Sequence, residues 1–194
     1  MPTEIDLTES RNIMVTGHRK LGTVRPYDPT NPTATRVKEL LREELEYQLA
    51  SPDGEHTVGI SGMALGVDQL WCDVLNDLHI PWVAFIPCVS QDRMWPKPSK
   101  QRYRDLLESA AGRMYPNGTV PYTPSCMLDR NRHMVANSDL VLAVWHGSKG
   151  GTAHAVAEAA KAELPIRRLD PTDLDAGWFP LHPAGAFSVE SSQP

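Results

Sequence analysis

Leu140-Val141-Leu142-Ala143-Val144-Trp145 is an unbroken apolar run that passes directly into His146-Gly147-Ser148-Lys149-Gly150-Gly151-Thr152, then into a stretch of helical composition from Thr152 to Glu163. A strand that is apolar on both faces has to be covered on both, which a parallel sheet with helices on either side provides. The glycines behind it let the backbone turn sharply and approach a ligand closely, while free amides and the positive dipole end of the next helix attract an anion. The segment reads as a phosphate cradle. Taken alone, it leaves open a glycine-rich turn that holds no ligand.

The same alternation runs along the chain. Further strands are expected at Asn12 to Thr16, Thr57 to Ser61, Trp82 to Ile86 and Ile166 to Leu169, with a weak one near Arg113 to Tyr115. Between them, Val37, Leu40, Leu41, Leu45 and Leu49 recur at helical spacing from Thr35 to Ala50, and Val67, Leu70, Trp71, Val74, Leu75 and Leu78 form a second apolar stripe. Helices also fit Ser99 to Ala111 and Met127 to Asn137. Alternating segments of this kind predict a doubly wound α/β sheet. Proline and turn residues from Thr23 to Pro32 predict a loop over the ligand-facing edge. The 194 residues suit a single domain, 1–194, with a core over about 12–171. Periodicity fades from Pro171 on, so residues 172–194 are expected to be a peripheral tail.

Composition narrows the function. The formal net charge is −5, with no lysine or arginine run, which argues against a nucleic-acid binder with a basic face. The three cysteines, Cys72, Cys88 and Cys126, have neither CxxC nor His/Cys zinc spacing, so neither a disulfide framework nor a structural metal is expected. His18, His146 and His154 likewise lack metal-ligand spacing. Met1 to Arg11 is polar and acidic rather than signal-like, and no apolar run approaches the roughly 18 residues of a membrane span. A cytoplasmic protein without a membrane partner is expected.

Three strands end in glycine-containing turns: Thr16-Gly17-His18-Arg19, Ser61-Gly62-Met63-Ala64-Leu65-Gly66-Val67-Asp68, and Gly147-Ser148-Lys149-Gly150-Gly151-Thr152. In an open parallel sheet, ligands bind beyond the carboxyl ends of the strands, so three such turns converge on one edge. Asp68 is placed to cap its turn or to take a ribose hydroxyl, the cap being the commoner role. Arg19 and Lys149 suit a phosphate or plain solvent equally well. Arg130 and Asn131 are candidates for the ligand from a short helix on which Arg130 and Met134 share a face and Arg132 points elsewhere. Asp139 fits a role in fixing the loop before its strand, and Trp95 fits an anchor for its loop better than a stacking platform.

These residues, with Leu21-Gly22, Gln69, Trp95-Pro96, Gln101-Arg102-Tyr103, Ser138-Asp139 and Ala143-Val144-Trp145, resemble the SLOG superfamily in its YpsA/YspA-like branch, found in bacteria and phages. That superfamily also holds the LOG phosphoribohydrolases and the DprA recombination mediators. The resemblance spans roughly Asn12 to Pro171. It implies a Rossmann-like, doubly wound, mostly parallel sheet flanked by helices, with a nucleotide or an NAD- or ADP-ribose-derived ligand held by the three turns. No further cofactor is required. It also implies a homodimer or higher oligomer, to which Trp71 or the face near Ala155 and Ala160 is a candidate contributor, although core packing explains these residues as well.

LOG-type enzymes carry PGGxGTxxE, with a carboxylate one turn beyond the glycines. Here Ala153, His154 and Ala155 follow Thr152. Glu158 would lie about 240° around and about 9 Å along the helix from Thr152, out of reach of the cradle. The leading expectation is therefore binding or sensing of a small-molecule nucleotide. An enzyme that cleaves or transfers a ribosyl or phosphoribosyl group, with another carboxylate such as Asp68 as substitute, is the first alternative. A DprA-like module for single-stranded DNA is the second.

Overall fold

Every residue of the apolar run from Leu140 to Val144 is buried in the computed structural model, which describes residues 5–21, 31–118, 121–123 and 125–182. In chain order the elements are β1 (Arg11–Gly17), α1 (Pro32–Leu49), β2 (Thr57–Ser61), α2 (Val67–Asp77), β3 (Trp82–Phe85), α3 (Lys97–Ser109), β4 (Gly112–Met114), α4 (Cys126–Ala136), β5 (Leu140–Val144), α5 (Gly151–Lys161), β6 (Ile166–Leu169) and β7 (Phe179–Pro180). The strands form one sheet in the order β4-β3-β2-β1-β5-β6-β7. All pairings are parallel except that of β6 with β7. The fold is the Rossmann-like α/β fold expected.

Successive strand side chains go to opposite faces. Ile13, Val15, Leu140, Leu142 and Val144 pack with Val37, Leu41 and Leu45 of α1, with Trp71, Val74 and Leu75 of α2, and with Tyr103 and Leu106 of α3. Met14, Val141 and Ala143 pack on the other face with Met134 and Val135 of α4 and Val156, Ala159 and Ala160 of α5. A sheet sandwiched in this way explains why its central strands carry no polar face. Trp71 and Ala155 have no exposed surface and Ala160 has almost none, so their place is in this core and not on an oligomer face.

The tail does more than wrap the surface. Residues 174–176 form a 3-10 turn, Trp178 donates from Nε1 to the Leu40 carbonyl at 3.0 Å, and β7 pairs with Arg167 and Arg168 of β6. A two-residue strand containing a proline has too little periodicity to be seen in the sequence. Residues 183–194 and most of the expected Thr23 to Pro32 loop lie outside the described residues. Among the described residues, no helix is long and apolar enough to cross a membrane.

Candidate functional site

The sheet's winding reverses beside β1. The chain builds β2, β3 and β4 outward on one side, then returns to lay β5 on the other. The ends of β1 and β5 therefore part around a crevice, the switch point at which open α/β sheets take ligands. A cavity of about 280 Å³ occupies it. Thr16, Gly17, His18, Arg19, Ala64, Asp68, Arg130, Asn131, Ser148, Lys149, Gly150, Gly151 and Thr152 all line it, so the three glycine turns meet at one edge and α4 joins them. Ser61, Gly62, Met63, Gly66 and Gly147 stand outside that lining.

The cradle is the amino end of α5. Gly150 is its N-cap, with φ +147°, and no side chain caps the helix. No acidic residue sits in the first turn, so the field of the helix end is not neutralised locally. A Cβ added to Gly151 would meet nothing within 4 Å, and its φ is one that other residues adopt freely. Neither packing nor backbone conformation requires glycine there. The loop is fixed from both sides: Trp145 Nε1 donates to the Ser148 carbonyl at 2.8 Å, and Asn131 Nδ2 donates to the Gly151 carbonyl at 3.0 Å. Lys149 is exposed at the rim, as is Arg19 across the crevice.

Burial governs the floor. Asp68 Oδ2 accepts from the Ala64 amide at 3.2 Å, so its carboxylate closes the β2–α2 turn while the helix itself is capped by Gly66. Burial raises the Asp68 carboxyl to about 6, against the opposing pull of Arg130. Arg130 is also buried, and its guanidinium donates from Nε to Asn131 Oδ1 at 3.0 Å and from Nη1 to the Gly62 carbonyl. Burial lowers its pKa and Asp68 partly restores it. A Cβ on Gly62 would run into Arg130, and the Met63 side chain is wholly inside the core, so neither is part of the cavity lining. Ser61 Oγ accepts from the Met63 amide and donates to the Asp68 carbonyl. Gly66, at φ +91°, lets the backbone of His18 and Arg19 pass where a Cβ would lie 2.5 Å from the His18 oxygen.

One wall is the His18 imidazole, backed from outside the cavity by that of His146. The His18 and His146 rings stack with centroids 4.1 Å apart and 22° between planes, and the His146 amide donates to His18 Nε2 at 3.2 Å. Burial, then His146, push His18 down to about 4, with Asp170 opposing. His18 is therefore neutral near pH 7, with its proton on Nδ1. Nothing in the spacing of residues 18 and 146 announces this pair; it follows from the pairing of β1 with β5, which sets Gly17 opposite Val144.

Other sequence readings are settled by contacts. Asp139 Oδ2 accepts from the Asn12 amide at 2.7 Å and so pins the start of β5 to β1. Trp95 packs edge-on against Tyr103, an anchor for its loop. Glu158 pairs with Lys161 at 2.8 Å and with Arg132 at 3.6 Å, away from the cradle. Gln91, which no motif singles out, donates from Nε2 to the Gly62 carbonyl at 3.0 Å behind the cavity lining and leaves Oε1 buried without a partner. Among the described residues no cluster of three or more His, Cys, Asp or Glu side chains is arranged to hold a metal ion. A larger recess of about 690 Å³ lies at the opposite ends of the strands. There Arg11, Gln48 and Glu44 are hydrogen-bonded to one another in a chain, and Arg167 Nε lies 2.8 Å from Glu44.

The model of the YspA SLOG family matches residues 13–174. The uncharacterized SPbeta prophage-derived protein YoqJ of Bacillus subtilis is 30% identical over 169 residues, which cover 77% of this chain and 98% of that protein. Among solved structures, DNA processing protein A of Streptococcus pneumoniae superposes with a TM-score of 0.59 at 18% identity, over 87% of this chain and 55% of that one. The chain thus spans about half the length of that protein. DNA processing protein A of Helicobacter pylori, described for its single-stranded DNA binding mode, gives a TM-score of 0.59 at 23% identity, over 88% of this chain and 74% of that one. These structural likenesses speak to the fold.

Proposed function

The chain belongs to the YspA SLOG family, and from that premise we propose that it binds a small nucleotide or nucleotide-derived ligand in the β1/β5 crevice. The phosphate rests on the amides of Gly150, Gly151 and Thr152 at the start of α5. The observation that carries this reading is Gly151, a glycine that faces open space in a conformation any residue could adopt. Close approach of a ligand to the backbone accounts for it. Lys149 and Arg19 at the rim supply positive charge, and Arg130 supplies it from the floor. A cavity of about 280 Å³ is near the small end for ligand sites and suits a mononucleotide better than a dinucleotide.

The test is Gly151→Asp. The open space leaves the fold room for the side chain, while the carboxylate repels an anion. Wild-type protein is expected to gain thermal stability with nucleoside monophosphates, and the variant is expected to bind them at least about tenfold more weakly at a melting temperature no lower than the wild type's. Equal affinities would overturn the placement of the phosphate.

Asp68 favours a second reading. A buried carboxyl raised to about 6 at the floor of a crevice has the protonation behaviour of a general acid, so cleavage of an N-glycosidic bond is the enzymatic alternative. Release of free base from a nucleoside monophosphate, lost in Asp68→Asn, would establish it. Intact nucleotide after prolonged incubation with wild-type protein would leave binding as the function.

A further inference from the structure

His18 is the one aromatic ring among the described residues that line the crevice. Its ring is held from two directions before any ligand arrives. His146 stacks over it at 4.1 Å, and the His146 amide bonds its Nε2 at 3.2 Å. Its backbone is pinned as well, since the His18 carbonyl accepts from the Val67 amide at 3.3 Å where α2 begins. His146 is exposed and takes no part in the cavity lining, so His18 meets the cavity with the surface that His146 leaves uncovered.

We infer that the cavity-facing surface of His18 is a stacking site for a planar heteroaromatic ring of the ligand, a nucleobase, with His146 as the backing of the stack. This rests on the phosphate position proposed above. Two features make the pairing of ring and phosphate geometrically natural. Gly17 and Val144 are register partners on adjacent strands, so His18 and the loop leading to Gly150 leave the sheet side by side. His18 and the turn of Gly150, Gly151 and Thr152 line the same cavity of about 280 Å³, a volume in which one mononucleotide can reach both. The other large rings nearby are already engaged: Trp145 with the Ser148 carbonyl and the Arg168 guanidinium, and Trp95 with Tyr103. His18 stays uncharged at neutral pH, so it meets a base as a neutral π surface, and a pre-oriented ring loses little further freedom when the base binds.

Calorimetric titration of the full chain with adenosine 5′-monophosphate and with ribose 5-phosphate tests this, because the two share sugar and phosphate and differ in the base. Stacking predicts that the nucleotide binds about tenfold more tightly. His18→Ala is expected to erase that advantage and His18→Phe to keep it. Equal affinity of the wild-type protein for both ligands would overturn the stack while leaving the phosphate position standing. A nucleotide advantage that survives in His18→Ala would overturn it too. Binding of neither ligand would overturn the stack together with the reading beneath it.

Discussion

Asp68 shows how one buried group ties stability to pH. Its carboxyl is raised from 3.8 to about 6, chiefly by burial, so the folded protein holds this proton more tightly than the unfolded chain does. The stabilisation that protonation gives is fully present below about pH 4 and is lost as the pH rises through about 6. At pH 7 the buried carboxylate costs stability, with an upper bound of about 3 kcal/mol. Asp68→Asn is therefore expected to raise the melting temperature at pH 7 and to leave it nearly unchanged at pH 4. Thermal denaturation of both proteins at the two pH values measures this, and equal shifts at both would contradict it. The sequence showed Asp68 as an acceptor in a turn, which it is. Its proximity to Arg130 was not legible, because the two come together only when α4 packs across the ends of β1 and β2.

Among the elements, α2 is anchored by one large, fully buried side chain. Trp71 is fully enclosed between α1, α3 and the sheet, with its Nε1 left without a partner. Its removal would leave a cavity that backbone shifts fill only in part, so Trp71→Ala is expected to cost about 3–5 kcal/mol. In a domain of this size the melting temperature would fall by roughly 10 °C. A variant with unchanged stability but altered oligomeric state would contradict the core assignment. Helices with a clear stripe, such as α1 and α2, were readable from spacing alone, and so was β2 to the residue. The strand β7 was not, because two residues paired antiparallel at a sheet edge draw their stability from Trp178 and β6 rather than from their own pattern.

On the scale of the whole molecule, winding order is what turns scattered glycine turns into one site. The three turns lie far apart in sequence, and the positions of β1 between β2 and β5 gather them at one end of the sheet. Their convergence could be anticipated from the alternation of strands and helices. The division of labour among the glycines could not, since Gly62 and Gly66 answer to Arg130 and His18 whereas Gly151 faces open space. The acidic charge balance is compatible with an anionic ligand because the cations that matter, Arg19, Arg130 and Lys149, are concentrated on this one crevice. The direct test is amide-resolved NMR during titration with adenosine 5′-monophosphate. The predicted result is that the largest shifts fall on Gly150, Gly151 and Thr152, with His18 moving at the same ligand concentrations. Shifts confined to the recess near Arg11 and Arg167, or no shifts at millimolar nucleotide, would contradict it.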